Sequence, residues 1–122
     1  MFFTYHQNNS GGFYRGDYKI VIVEANDEDD ANYYAKKYYN VYMNGVSRGI
    51  DCSCCGDRWT SPDEYSKPAT YGICIDYLED KIDKYDRYDS VVIRYLDGNE
   101  YKLNIPNSFE NSWFEEGKVE NV

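Results

Sequence analysis

The stretch 18-YKIVIVEA-25 carries four consecutive β-branched residues, Ile20, Val21, Ile22 and Val23, with no polar alternation among them. Successive side chains of a strand point to opposite faces, so an unbroken apolar run of this kind indicates burial on both. The segment is therefore expected at the centre of a sheet, with other elements packed on each side of it.

Working outward, 26-NDEDDANYYAKKYYN-40 reads as a helix. Asn26 or Asp27 caps its start, acidic residues crowd the first turn, and Lys36 and Lys37 lie near its end, a charge order that complements the helix dipole. Ala31, Tyr34, Ala35 and Tyr38 follow i, i+3, i+4, i+7 spacing and are predicted to face the sheet. Upstream, residues 2–7 (FFTYHQ) form a short strand running into the turn-rich 8-NNSGG-12.

Downstream, Asn44-Gly45 within 39-YNVYMNGVSRGI-50 predicts a tight hairpin whose return strand leads into 51-DCSCCGDRW-59. A proline-containing loop, 60-TSPDEYSKPAT-70, precedes a strand in 71-YGICIDY-77 that carries Cys74. The overlapping 76-DYLEDKIDKYDRYD-89 reads as a second helix, since Leu78, Ile82 and Tyr85 share a face and Asp80–Lys84 and Asp83–Arg87 are i, i+4 pairs. In 90-SVVIRYLDGNEYKLNI-105, Asp97-Gly98 joins two alternating runs into a hairpin. The acidic tail from Pro106 carries Trp113 and Phe114, which are candidates to dock it. The pattern predicts one α+β domain over residues 1–122: a mainly antiparallel sheet with one or two packed helices, braced by a structural zinc site.

The brace is inferred from the cysteines. Three of the four lie in 51-DCSCCGDRW-59, where Cys52 and Cys55 make a CxxC followed by Gly56, the half-site of a zinc knuckle. Four-coordinate zinc needs two further ligands, and the expected set is Cys52, Cys54, Cys55 and His6, with Cys74 as the alternative to Cys54 or His6. The bland reading of His6, the only histidine, is a hydrogen-bonded residue beside a loop; that of Cys74, between Ile73 and Ile75, is a buried inert thiol. Thiol redox catalysis at the CxxC is disfavoured, because no helical pattern follows the motif and Pro62 interrupts soon after. A modest aliphatic core, with 15 tyrosines supplying much of the apolar area, gives a metal brace physical purpose.

The chain has 22 acidic against 13 basic residues, a net charge of −9, and a pI near 4.5. Phosphate binding is driven by clustered Lys and Arg, so nucleic acid and anionic membranes are excluded as expected ligands, and a basic protein surface is the natural partner. No apolar run approaches the roughly 18 residues of a membrane span, and the N-terminus lacks the pattern of a signal peptide, which points to the cytosol. There is no GxxxxGK, no GxGxxG after a strand and no HExxH, and a zinc ion with four protein ligands leaves no open position, so an enzyme is not expected. The expected contact surface is Asp76, Glu79, Asp80, Asp83, Asp86 and Asp89 on the second helix, and next the cluster Asp27, Glu28, Asp29 and Asp30. The tyrosines interleaved with these carboxylates supply contact area. Solubility alone is the competing explanation of the acidity.

Taken together, 1-MFFTYHQNNSGG-12 and 51-DCSCCGDRW-59 resemble a family of small bacteriophage proteins. In size and acidity the chain also resembles phage-encoded anti-CRISPR proteins directed against type II-A Cas9 nucleases. That resemblance implies stoichiometric binding in the host cytoplasm rather than catalysis, with the basic nuclease channel that holds the heteroduplex as the fitting partner. The competing expectation is a zinc-binding adaptor or virion-associated module without inhibitory activity.

Overall fold

β2 (Ile20–Glu24) occupies the middle of a five-stranded sheet. The computed structural model describes residues 1–8, 16–54, 56–70, 72–79 and 88–106. On one side β2 pairs antiparallel with β1 (Phe2–His6), which in turn carries the edge strand β3 (Asp63–Tyr65). On the other it pairs in parallel with β6 (Tyr88–Arg94), followed by β7 (Glu100–Pro106), giving the order β3-β1-β2-β6-β7. The β2–β6 pairing makes the sheet mixed. Parallel neighbours need a long crossover, and here the chain between them supplies α1 (Glu28–Tyr39), β3, the two-stranded ribbon of β4 (Ala69–Thr70) and β5 (Ile73–Cys74), and α2 (Ile75–Glu79).

Both faces of β2 are buried, as its sequence demands. Val21 and Val23 pack with Phe3, Tyr5, Ala31, Ala35 and Trp59, beneath α1. Ile20 and Ile22 pack with Phe2, Val91, Ile93 and Ile105, together with Ile73 and Ile75 from the β5–α2 segment. Each of these branched side chains contributes on the order of 1.5–3 kcal/mol by leaving water, an upper figure because the unfolded chain is already partly compact.

The Asp27 carboxylate caps α1 by accepting the Asp30 N–H at 2.8 Å, and Glu28, Asp29 and Asp30 fill the first turn. The helix ends where Asn40 takes a left-handed conformation (φ 58°), and the N–H groups of Asn40 and Val41 (3.2 Å) both return to the Ala35 carbonyl, which satisfies one of the carbonyls the helix end leaves open. Ala31 and Ala35 face the sheet as predicted, and Tyr34 is partly buried against the core. Tyr38 is instead 46% exposed, with the Arg94 guanidinium 3.8 Å from its ring centre. The inward position passes to Tyr39, whose hydroxyl donates to Glu100 at 2.5 Å.

Three local expectations change. The Asn44-Gly45 hairpin does not form: Arg48 N–H bonds to Asn44 O at 3.0 Å, and the Gly45 carbonyl takes the N–H groups of both Ile50 (2.8 Å) and Asp51 (3.0 Å). Gly45 is required by proximity rather than by turn type, because a Cβ there would lie 1.8 Å from Asp51 Oδ2. Of the strand read over residues 71–77, residue 71 lies outside the described residues, Ile73–Cys74 form β5, and Ile75 already begins α2. The second helix is described only over Ile75–Glu79; residues 80–87 lie outside the described residues, and Tyr88 and Asp89 belong to β6 rather than to a helix. The Asp97-Gly98 hairpin forms as expected, with Gly98 at φ +92° and Tyr95 N–H bonded to Asn99 O at 2.8 Å. Trp113 and Phe114 lie outside the described residues. Among those described, no helix is long and apolar enough to cross a membrane.

Candidate functional site

The loop 51–58 is fixed by its two ends. Asp51 Oδ1 accepts the Tyr42 hydroxyl at 2.7 Å and Oδ2 accepts the Arg58 backbone N–H at 2.8 Å. The Arg58 Nε lies 3.4 Å from Oδ1, and the two side chains are only 2% (Arg58) and 0% (Asp51) exposed. Burial alone would push the Asp51 carboxyl up; the Arg58 N–H, the Tyr42 hydroxyl and the guanidinium charge outweigh it and hold the group below its ordinary value. Arg58 also donates to Gln7 Oε1 at 3.4 Å, and buried Gln7 donates to the Tyr18 carbonyl at 2.7 Å.

Residues 57–60 then run alongside the end of β1. Asn8 donates to the carbonyls of Arg58 (2.8 Å, backbone N–H) and Asp57 (2.7 Å, side-chain amide), Gln7 bridges to Trp59, and Thr60 N–H bonds to His6 O at 3.0 Å. The N-terminal stretch and the cysteine loop are thus one contact unit.

Cys52 and Cys54 are exposed and their sulfurs are 2.7 Å apart, while Gly56 turns the chain back at φ +81°. Cys55 lies outside the described residues. The His6 imidazole Nδ1 is 3.1 Å from the Thr60 hydroxyl; burial, with Lys19 nearby, pushes its pKa down to about 4, so the ring is neutral at neutral pH. Cys74 is half-buried in β5, in the layer that covers the Ile20–Ile22 face of the sheet. Among the described residues, the expected zinc ligands seen side by side are Cys52 and Cys54. Among the described residues no three His, Cys, Asp or Glu side chains gather into a metal-holding group.

Of the expected acidic contacts, Asp27 is used as the helix cap, whereas Glu28, Asp29 and Asp30 are exposed. Beside them a groove of about 480 Å³ separates the first half of α1 from the loops at 43–44 and 57–62, lined by Glu28, Asn32, Asn44, Asp57 and Trp59. Asp76 is exposed at the start of α2, Glu79 ends that helix, and Asp89 lies in β6 opposite Ile105. Asp80, Asp83 and Asp86 lie outside the described residues. Neither the Asp51–Arg58 clasp nor the polar groove follows from a sequence motif. The only signal for the clasp was an acid and a base bracketing the cysteines.

Fold and site together define a mixed-sheet α+β domain that presents a thiol-bearing loop on a buried ionic clasp. The chain belongs to the family described as Domain of unknown function (DUF7296), whose model matches residues 1–111. No curated protein and no solved structure matches the chain.

Proposed function

We propose that the domain works by binding, not catalysis, and that it engages a basic protein surface through the first turn of α1 and the adjoining groove. The observation that carries this reading is the division of labour at residues 27–30. One carboxylate satisfies the helix start, and the next three remain exposed beside a groove bearing Glu28 and Asp57. The dipole of α1 accounts for a preference for acid there. Three exposed charges on a chain of net charge −9 additionally create a field that steers cationic partners.

The finer form of the proposal is a phage-encoded inhibitor of a Cas9-type host nuclease, in the host cytoplasm, that blocks DNA targeting stoichiometrically. Its support is the resemblance of residues 1–12 and 51–59 and the charge complementarity to a heteroduplex channel. Binding of the full chain to a purified type II-A Cas9–guide complex is the test. The expected result is a one-to-one complex that weakens steeply with salt, and about a tenfold loss of affinity in the triple variant Glu28→Lys/Asp29→Lys/Asp30→Lys. No complex at low salt removes the Cas9 form. A complex unaffected by the triple variant removes the α1 surface.

A further inference from the structure

We propose that Cys52 and Cys54 form an exchangeable dithiol that reacts with small disulfides of the glutathione class. This is independent of the binding role proposed above.

Both residues are exposed and their sulfurs are 2.7 Å apart, against about 2.05 Å in a disulfide. The base of the loop is rigid, because Asp51 and Arg58 are buried against each other and tied to Tyr42 and Gln7. The thiols are thus presented by a fixed platform at the surface, the placement that governs access in thiol–disulfide exchange. Cys74 has a different setting, half-buried between Ile73 and Ile75, and serves as the internal control. Spacing in the sequence draws attention to the CxxC of Cys52 and Cys55; among the described residues, the sulfurs that meet are those of Cys52 and Cys54.

The chemistry balances in two steps. The thiolate of Cys52 attacks one sulfur of glutathione disulfide, forming a mixed disulfide and expelling glutathione thiolate, which takes up the proton lost by Cys52. Cys54 then loses its proton and attacks the Cys52 sulfur, forming the Cys52–Cys54 disulfide and expelling the second glutathione. Two electrons pass from the protein sulfurs to the glutathione disulfide, and two molecules of reduced glutathione leave.

The test equilibrates the folded, full-length protein in buffers of graded reduced-to-oxidised glutathione ratio, quenches it by alkylation, and reads thiol loss by mass. The expected result is loss of two thiols from the peptide containing residues 51–58, unchanged in Cys55→Ser and Cys74→Ser. In Cys54→Ser the reaction stops at the first step, and the glutathione adduct on Cys52 rises about tenfold over the wild type. Disulfide formation that survives Cys54→Ser but is lost in Cys55→Ser overturns the assignment in favour of the CxxC pair. Thiols that stay unreactive in purified protein until a chelator is added overturn it in favour of a metal-held loop. Because Cys55→Ser leaves both proposed partners in place, the result does not depend on how well Cys54→Ser folds.

Discussion

β2 and the two ends of the 51–58 loop, Asp51 and Arg58, are held by opposite means. β2 is fixed by four branched side chains removed from water on two faces of a sheet, an interaction without direction that tolerates small adjustments. The loop is fixed by one buried ion pair and a few hydrogen bonds, which are directional and fail together if one member is lost. A strand anchored by area is suited to carry a fold. A loop anchored at its two ends is suited to present side chains between them, and the exposed sulfurs of Cys52 and Cys54 lie there.

The contrast is broken most sharply at Arg58. Arg58→Met leaves the Asp51 carboxylate buried without its cation and is expected to cost about 3–5 kcal/mol, whereas Asp51→Leu/Arg58→Met together cost much less than the single change. Chemical denaturation of the three proteins measures the coupling; additive losses would show that the pair is not a clasp. Ile22→Ala, in the strand, is expected to cost about 3 kcal/mol from lost burial and the residual cavity. Unlike Arg58→Met, it should leave the alkylation rates of Cys52 and Cys54 in the folded protein unchanged.

The same contrast explains what could be read in advance. β2, the capped start of α1 and the Asp97-Gly98 hairpin announce themselves through local periodicity and turn chemistry, so composition over a few residues suffices. The parallel pairing of β2 with β6 depends on partners some 70 positions apart and has no local signature. Asn44-Gly45 misleads because its glycine answers to Asp51 approaching from six residues downstream, not to a hairpin. The Asp51–Arg58 clasp lies in a loop, where no period marks an inward position. Cysteine spacing likewise suggests the CxxC and gives no sign that the sulfurs of Cys52 and Cys54 meet.

His6 sharpens the comparison by pH. Its folded pKa of about 4 lies below the ordinary 6.5, so the unfolded chain takes up the proton first. The stability this preserves is complete above pH 6.5 and is lost as pH falls through that value toward 4. With the ring partly exposed, the loss is about 2 kcal/mol. Denaturation at intervals across this window should show a steeper decline for wild type than for His6→Gln, which retains a hydrogen-bonding group toward Thr60. Parallel curves would mean that His6 is not buried as a neutral ring.

The smallest expected effect separates structure from surface within residues 27–30. Asp27 adopts extended geometry (φ −151°, ψ 173°) and its carboxylate accepts the Asp30 N–H, so Asp27→Ala should lower stability by about 1 kcal/mol. Asp27→Asn keeps an accepting oxygen and should recover most of that loss although it removes a charge. For Glu28, Asp29 and Asp30 the expectation inverts, since their amide or lysine variants should alter stability little beyond the dipole contribution of a few tenths of a kcal/mol each, while changing affinity for a basic partner. Paired thermal melts and binding isotherms distinguish the two classes. If Asp27→Asn weakened partner binding as much as the Glu28→Lys change does, the turn would be a single charged surface, and the separation between a carboxylate that builds the helix and carboxylates that face outward would fail.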